Sequence, residues 1–310
     1  MTRSIALLGA GLAGLTCARA LADAGLSPIV FDKSRGLGGR LATRRAEGPD
    51  GAAFAFDHGA QHLSPKTPEF AALLTALEQA GAAALWTPED LPPKPRYVGL
   101  PGMSGLAKPL AAGLDIRPGR EVAAVERLSD GWHLGFADGS LEGPFDALIS
   151  TVPAPQAARL IPGAAAALAP VVMAPCWTLM VVFETRPAEL PDAAAGDGPL
   201  AWIARNAGKP GRPDAEAWVV QASAAWSREH LELDRETAAS ALLALLGETG
   251  AAPRIDWAAA HRWRYARAET PLGRPFAEAD GALIGGDWAL GDRAEHAFLS
   301  GRALAARLLG

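Results

Sequence analysis

The chain has 310 residues, 49% of them hydrophobic, and a formal net charge of −5 at pH 7. That length buries a large core and has room for two domains, while the acidic balance excludes nucleic acid as a partner, because phosphate binding needs a basic face. The two cysteines, Cys17 and Cys176, stand far apart and form no CxxC, so no disulfide framework or metal site is expected.

Ile5 to Leu8 is a short apolar run that predicts a strand. It ends on Gly9, Gly11 and Gly14 in GxGxxG spacing, and the Ala/Leu-rich stretch to Ala24 predicts a helix. Pro28 to Phe31 predicts a second strand, closed by Asp32. The chemistry of this unit is specific. Gly9 permits the tight turn, Gly11 lets backbone reach a pyrophosphate, and Gly14 lets helix and strand pack closely. With Ala10 and Ala13 in the same turn, the amide dipoles at the helix start face the phosphates. Asp32, with Lys33 beside it, is placed to accept hydrogen bonds from a ribose hydroxyl. These glycines fall in fingerprint register, so the N-terminus is read as a cofactor site and not a secretory leader.

Lys33 to Arg45 reads KSRGLGGRLATRR. It resembles the second-glycine motif, R-x-G-G-R, of the flavin amine oxidase superfamily. The resemblance implies that Gly38 and Gly39 pass beside the pyrophosphate of FAD and that Arg40 braces the flavin side. Arg44 and Arg45 either join them or form a solvated basic turn.

Ala53 to Phe56 predicts a short strand, followed by DHGAQHL. This is similar to a second element of the superfamily, in which a Gly-Ala-Gln turn sets backbone against the flavin ring. Gly59 and Ala60 would allow the approach and Gln61 would point polar atoms toward the pocket. His62 either lines the active site or is solvated. Thr67 to Ala80 is amphipathic, with Phe70, Leu73, Leu74 and Leu77 on one face. Pro88 to Pro95 predicts a loop, and Gly102 and Ser104 turn the chain into a helix to about Ala112. Strands are expected from Asp115 to Val125 around Pro118-Gly119, from Gly131 to Phe136, and from Asp146 to Ser150, with a hairpin turn at Ala137-Asp138-Gly139. In FAD enzymes of the superfamily the corresponding segment is a β-meander with a strand returning to the first sheet, and the resemblance implies that Glu121 and Val122 lie near the adenine.

Ile161 to Phe183 is long and apolar, but Pro162, Pro170 and Pro175 interrupt it. Its last part, CWTLMVVF, therefore reads as a buried strand and not a membrane span. Cytoplasmic placement is the expectation. Further strands are predicted at Leu200 to Arg205, Ala217 to Ala222 and Arg254 to Arg267, with a helix from Arg235 to Leu246. ALIGGDW is a strand ending in Gly285-Gly286-Asp287, and Ala294 to Leu309 is helical. This pair resembles the C-terminal flavin motif. It implies that Asp287 bonds the ribitol beside Gly286, and that the helix start, with Glu295 and Ala297, faces the flavin.

PCWTLM (175–180), WIARNAGKPGR (202–212), WVVQASAAWSREHLE (218–232), HRWRYA (261–266) and GGDWALGDRAEHAFLSG (285–301) together resemble the bacterial renalase-like NAD/FAD-dependent oxidoreductases. The resemblance runs nearly end to end. It implies an α/β fold of amine oxidase type: a discontinuous Rossmann-type FAD-binding domain (1–58, 103–152 and 270–310) with a mixed-sheet substrate domain (59–102 and 153–269). It also implies noncovalent FAD and a mis-reduced dihydronicotinamide nucleotide as substrate. The flavin would take the hydride, release NAD(P)+ and reduce oxygen to hydrogen peroxide.

Hydride transfer to flavin needs orientation and electrostatics more than acid-base groups. No Ser-His-Asp order, metal spacing or paired carboxylates can be placed in the chain. Trp263 and Tyr265 alternate with Arg262 and Arg264, which makes one strand face aromatic and the other basic. Trp263 either stacks on a pyridine or belongs to the core. Asn206 and Gln221 could hold a carboxamide, and Trp288 is a further pocket candidate. Lys209, Arg212 and Arg228 are expected either at substrate phosphates or on solvated surface. Two other activities stay open on the same residues: an amine oxidase or desaturase, and a non-catalytic dinucleotide sensor. With Tyr97 and Tyr265 as the only tyrosines, and no lysine assignable to the flavin, amine chemistry is the less favoured.

Overall fold

The structure is a computed structural model that describes residues 3–48, 51–250 and 254–310. The opening segment forms the strand Ile5–Leu8, the helix Leu12–Asp23 and the strand Pro28–Asp32. These belong to a six-stranded sheet whose order is 276–279, 282–285, 147–150, 5–8, 28–32, 115–118. All neighbours pair in parallel except Phe276–Ala279, which runs antiparallel to Ala282–Gly285 at the edge. A three-stranded antiparallel meander follows the 115–118 strand. The strands on either side of Pro118-Gly119 therefore enter different sheets and do not pair with each other.

The chain divides into two compact units. The first comprises Met1–Arg40, Ala107–Met173 and Arg267–Gly310, and the second Leu41–Leu106 and Ala174–Ala266. These limits differ from those expected in sequence, and packing explains both main shifts. Residues 41–58 go with the second unit because the hairpin of Arg44–Glu47 and Ala53–Phe56 buries Phe54 and Phe56 on that unit's sheet. Residues 153–173 go with the first because the helices Ala154–Leu160 and Ala164–Leu168 bury Ala157, Ala164 and Leu168 in its core.

In the first unit, the helices Leu12–Asp23 and Ala294–Leu309 cross closely at small residues. A Cβ on Gly301 would stand 2.3 Å from the Ala13 carbonyl oxygen, so only glycine allows this crossing. Cys17 is buried in the first helix, and burial pushes its thiol up to about 12, an unreactive packing group.

The second unit is built on a five-stranded sheet, in the order 193–195, 200–205, 217–222, 172–183, 255–270. Its strand Val172–Phe183 explains the continuous apolar run. Trp177, Leu179, Val181 and Phe183 face the helix Arg235–Gly247, while Met180 and Val182 face Phe54 and Phe56. Because successive residues alternate, both faces are covered. Among the described residues no helix is long and apolar enough to cross a membrane.

Candidate active site

In the first unit the two glycine turns meet. The Gly38 N–H donates to the Ala10 carbonyl at 2.9 Å, and a Cβ on Gly39 would stand 3.3 Å from Gly11 Cα. A Cβ on Gly14 would lie 1.9 Å from the Gly9 carbonyl oxygen, which is the close helix-strand contact the fingerprint requires. Gly11 is the opposite case. Among the described residues nothing beyond its chain neighbours lies within 4 Å of its Cβ position, and the helix it caps has no side-chain cap there. Open space in front of uncapped N–H groups suits a pyrophosphate, so these residues fit FAD.

Asp32 is committed in part to the fold. Its two oxygens accept the Ala10 N–H at 2.6 Å and the Ser34 N–H at 2.7 Å. Each carboxylate oxygen retains a lone pair for a ribose hydroxyl. Lys33 is exposed, Val122 is half-buried against the core, and Glu295 and Ala297 are buried at the start of the last helix.

Arg40 and Asp287, expected to act separately on the cofactor, form a bidentate pair at 2.7 and 2.6 Å. A carboxylate as buried as Asp287 needs such a partner, and the pair ties the second-glycine motif to the turn after Gly286. Trp288 corrects an expectation. It is fully buried in the first unit's core and donates Nε1–H to the Val152 carbonyl at 3.1 Å, so it is a packing residue and not part of a pocket.

The second unit converges on the DHGAQ turn. The Asn206 amide donates to Ala55 O at 2.7 Å and accepts the Asp57 N–H at 3.2 Å. Trp263 Nε1 donates to His58 O at 2.7 Å, and Gln221 Nε2 donates to Gly59 O at 2.8 Å. Gln61 Nε2 donates back to Asp57 O and, at 3.2 Å, to Gly59 O. Three residues expected to hold substrate thus hold one backbone segment from three places in the chain. Asn206 spends both ends of its amide on the scaffold, Trp263 its Nε1–H, and Gln221 a bond of its Nε2. Gly59 and Ala60 remain half-buried at the tip of the turn.

Beneath the turn lies an ion cluster. Lys209 and Arg212 both bond Asp57 Oδ2, and all three side chains have no solvent exposure. Asp57 Oδ1 accepts from Thr43 Oγ1 and the Met103 N–H, each at 2.9 Å. Lys209 Nζ also donates to Gln61 Oε1 at 3.1 Å. Burial alone would raise the Asp57 carboxyl, but the two cations and the Met103 N–H hold it below its ordinary value. Neither Lys209 nor Arg212 is solvated, contrary to expectation, and an interior lysine exists where none could be assigned. The sequence signal was slight: a Lys and an Arg three apart in a Pro/Gly loop.

Aromatic rings line the same unit. His58 stacks on Trp263 with centroids 5.2 Å apart, and His261 meets both edge-on at 4.7 and 4.5 Å. His62 lies between Trp86 and Trp202, at 6.0 and 5.7 Å, and Tyr265 is half-buried farther along the 255–270 strand. Sequence reasoning missed His58 and His261. Burial pushes both down to about 4, with Arg44 acting in the same direction on each and neighbouring His58 adding to the shift at His261. The unfolded chain therefore binds more protons than the native one between pH 6.5 and about 4. Stability should fall with pH through that window, by on the order of 2–5 kcal/mol for the pair. Denaturant unfolding of wild type and His261→Phe at stepped pH checks this; a slope as steep in the variant would remove His261 from the account.

Residues 8–77 match the NAD(P)-binding Rossmann-like domain, and residues 79–309 match the family described as flavin containing amine oxidoreductase. The 15-cis-phytoene desaturase of Synechococcus elongatus is 52% identical over 46 residues, a match that spans 15% of this chain and 10% of that protein. Among solved structures, a protein from Exiguobacterium sp. 255-15, provisionally assigned as protoporphyrinogen oxidase, superposes with a TM-score of 0.78 at 12% identity, covering 99% of both chains. Two engineered variants of putrescine oxidase follow, at TM-scores of 0.71 and 0.70 with 14% and 16% identity. They cover 100% of this chain and 99% and 100% of their own. At such identities the likeness shows the fold. Matched to its family over residues 79–309 and to a Rossmann-like domain over residues 8–77, the chain belongs to the flavin containing amine oxidoreductases and is an FAD-dependent oxidoreductase.

Proposed function

We propose that the protein is an oxidase of renalase-like type, taking hydride from mis-reduced dihydronicotinamide nucleotides and releasing NAD(P)+. Bound FAD supplies the hydride acceptor and the route of two electrons to oxygen, which becomes hydrogen peroxide with two protons. Gly11, Gly38, Gly39 and the Arg40–Asp287 pair would hold it, together with Asp32 at the ribose. The Gly59–Gln61 turn is the segment that the superfamily resemblance assigns to the flavin ring.

The observation that carries this reading is the aromatic wall of His58, His261 and Trp263 beside that turn. With both imidazoles neutral at physiological pH, the wall is aromatic and uncharged, and His58 and Trp263 stack as its flat part. It suits a flat pyridine, and its imidazoles, pushed down to about 4, are weak bases. A dihydropyridine needs no base, because its ring nitrogen lone pair expels the hydride.

One observation favours amine oxidation or desaturation instead. The interior Lys209 is the residue type that amine-oxidising relatives use, and the sequence alone had not assigned one. Anaerobic mixing decides between the two. Loss of oxidised-flavin absorbance with NAD(P)H isomers but not with putrescine or other amines supports the first reading. Bleaching by amines alone would replace it with the second.

A further inference from the structure

We propose that Lys209 is a positioning residue for the oxidation: bonded to both Asp57 and Gln61, it holds the Asp57–Gln61 turn in its working shape and leaves one positive charge buried beneath it. This rests on reading that turn as flavin-facing.

The donor accounting makes the case. Arg212 alone could neutralise Asp57: it reaches Oδ2 through Nε and Nη2, and its Nη1 is used on Gly99 O and Pro210 O, each at 2.6 Å. A second buried cation on the same oxygen adds desolvation cost without a charge left to pair. Lys209 is therefore surplus to the needs of Asp57. What it contributes, and Arg212 does not, is the bond to Gln61 Oε1. With that oxygen tied, the amide's other end can only present Nε2, and Nε2 closes the turn on Asp57 O and Gly59 O. The path is one chain of contacts, Lys209 to Gln61 to the two carbonyls.

The same cluster is poised to titrate. Burial pushes Lys209 down to about 8, Arg212 pushes the same way and Asp57 opposes both. Asp57 and Arg212 are the charged groups bonded to or flanking it. Its ammonium lies 5.3 Å from the centroid of the Trp86 ring, which also packs near His62. Glu89 and Asp192, with Trp86, Gly208 and Pro210, line a cavity of about 260 Å³ on that side. Loss of the Lys209 proton removes the surplus charge and weakens the grip on Gln61.

Lys209→Met and Gln61→Leu, singly and together, test the proposal on FAD-loaded protein. Both single variants should keep FAD, shift the visible spectrum and midpoint potential of the bound flavin, and slow anaerobic flavin reduction by roughly tenfold or more. The double variant should be no slower than Lys209→Met. A step in the wild-type reduction rate near pH 8 should disappear in Lys209→Met. A Lys209→Met enzyme with wild-type spectrum, rate and pH profile overturns the proposal. So does a double variant whose loss is the product of the two singles. If Lys209→Met fails to fold, Gln61→Leu decides alone, and wild-type behaviour there overturns it. Spectrum and potential are read without substrate. A wild type that no dihydropyridine reduces would therefore sink the substrate reading while leaving this test intact.

Discussion

Replacing Asp57 with Asn is expected to destabilise the protein by roughly 3–5 kcal/mol, because it leaves Lys209 and Arg212 buried without a counter-charge. The substitution keeps the side chain's size and an oxygen that can accept, so the loss reports charge and not a cavity. The carboxylate's contribution is present above its unfolded value and is lost as pH falls through its lowered native one. Wild type should therefore approach the variant's stability in acid. Removing one cation as well, in Asp57→Asn with Lys209→Met, should recover part of the loss. Denaturant unfolding of the three proteins at neutral pH supplies the measurement. A single variant within about 1 kcal/mol of wild type would mean that the cluster is hydrated and that the burial argument fails.

Gly14→Ala and Gly11→Ala should separate the fold from the cofactor. At Gly14 the new methyl would lie 1.9 Å from the Gly9 carbonyl oxygen and 2.8 Å from Thr151 Oγ1. One obstacle is backbone, so the helix must move. A loss of about 3 kcal/mol or more is expected, together with loss of FAD on purification. At Gly11 the methyl meets no atom of the described residues within 4 Å beyond its chain neighbours. The apoprotein should keep its stability to within about 0.5 kcal/mol, while the methyl occupies the space a pyrophosphate needs. Apoprotein unfolding and flavin content after reconstitution check both variants. A Gly11→Ala protein that retains FAD as wild type does would place the pyrophosphate elsewhere.

Much of the fold was legible because it is written at short range. The strands Ile5–Leu8 and Ala53–Phe56 and the helix Ala294–Leu309 stand where periodicity put them. Thr67, read as the helix start, caps Pro68–Gln79 by accepting the Phe70 N–H. The short helices Ala154–Leu160 and Ala164–Leu168 were not legible, since five or seven residues rich in Ala and Pro carry no amphipathic period. Their place is set by the core they fill.

The candidate site divides along the same line. Backbone demands leave a local trace: a glycine spacing marks where a chain must approach a phosphate, and an acid after a strand marks a ribose. Sequence by itself therefore determined the fold class, the Rossmann fingerprint and the flavin. What only the tertiary structure decided is which partner each polar side chain takes. Asn206 finds Asp57 across 149 residues, Gln221 finds Gly59 across 162 and Trp263 finds His58 across 205. A buried donor bonds the nearest acceptor through space, and separations of that size leave no pattern along the chain. For that reason Asn206, Gln221 and Trp263, expected at the substrate, each bond the backbone of one turn, and Lys209 and Arg212, expected at substrate phosphates or on solvated surface, lie beneath it.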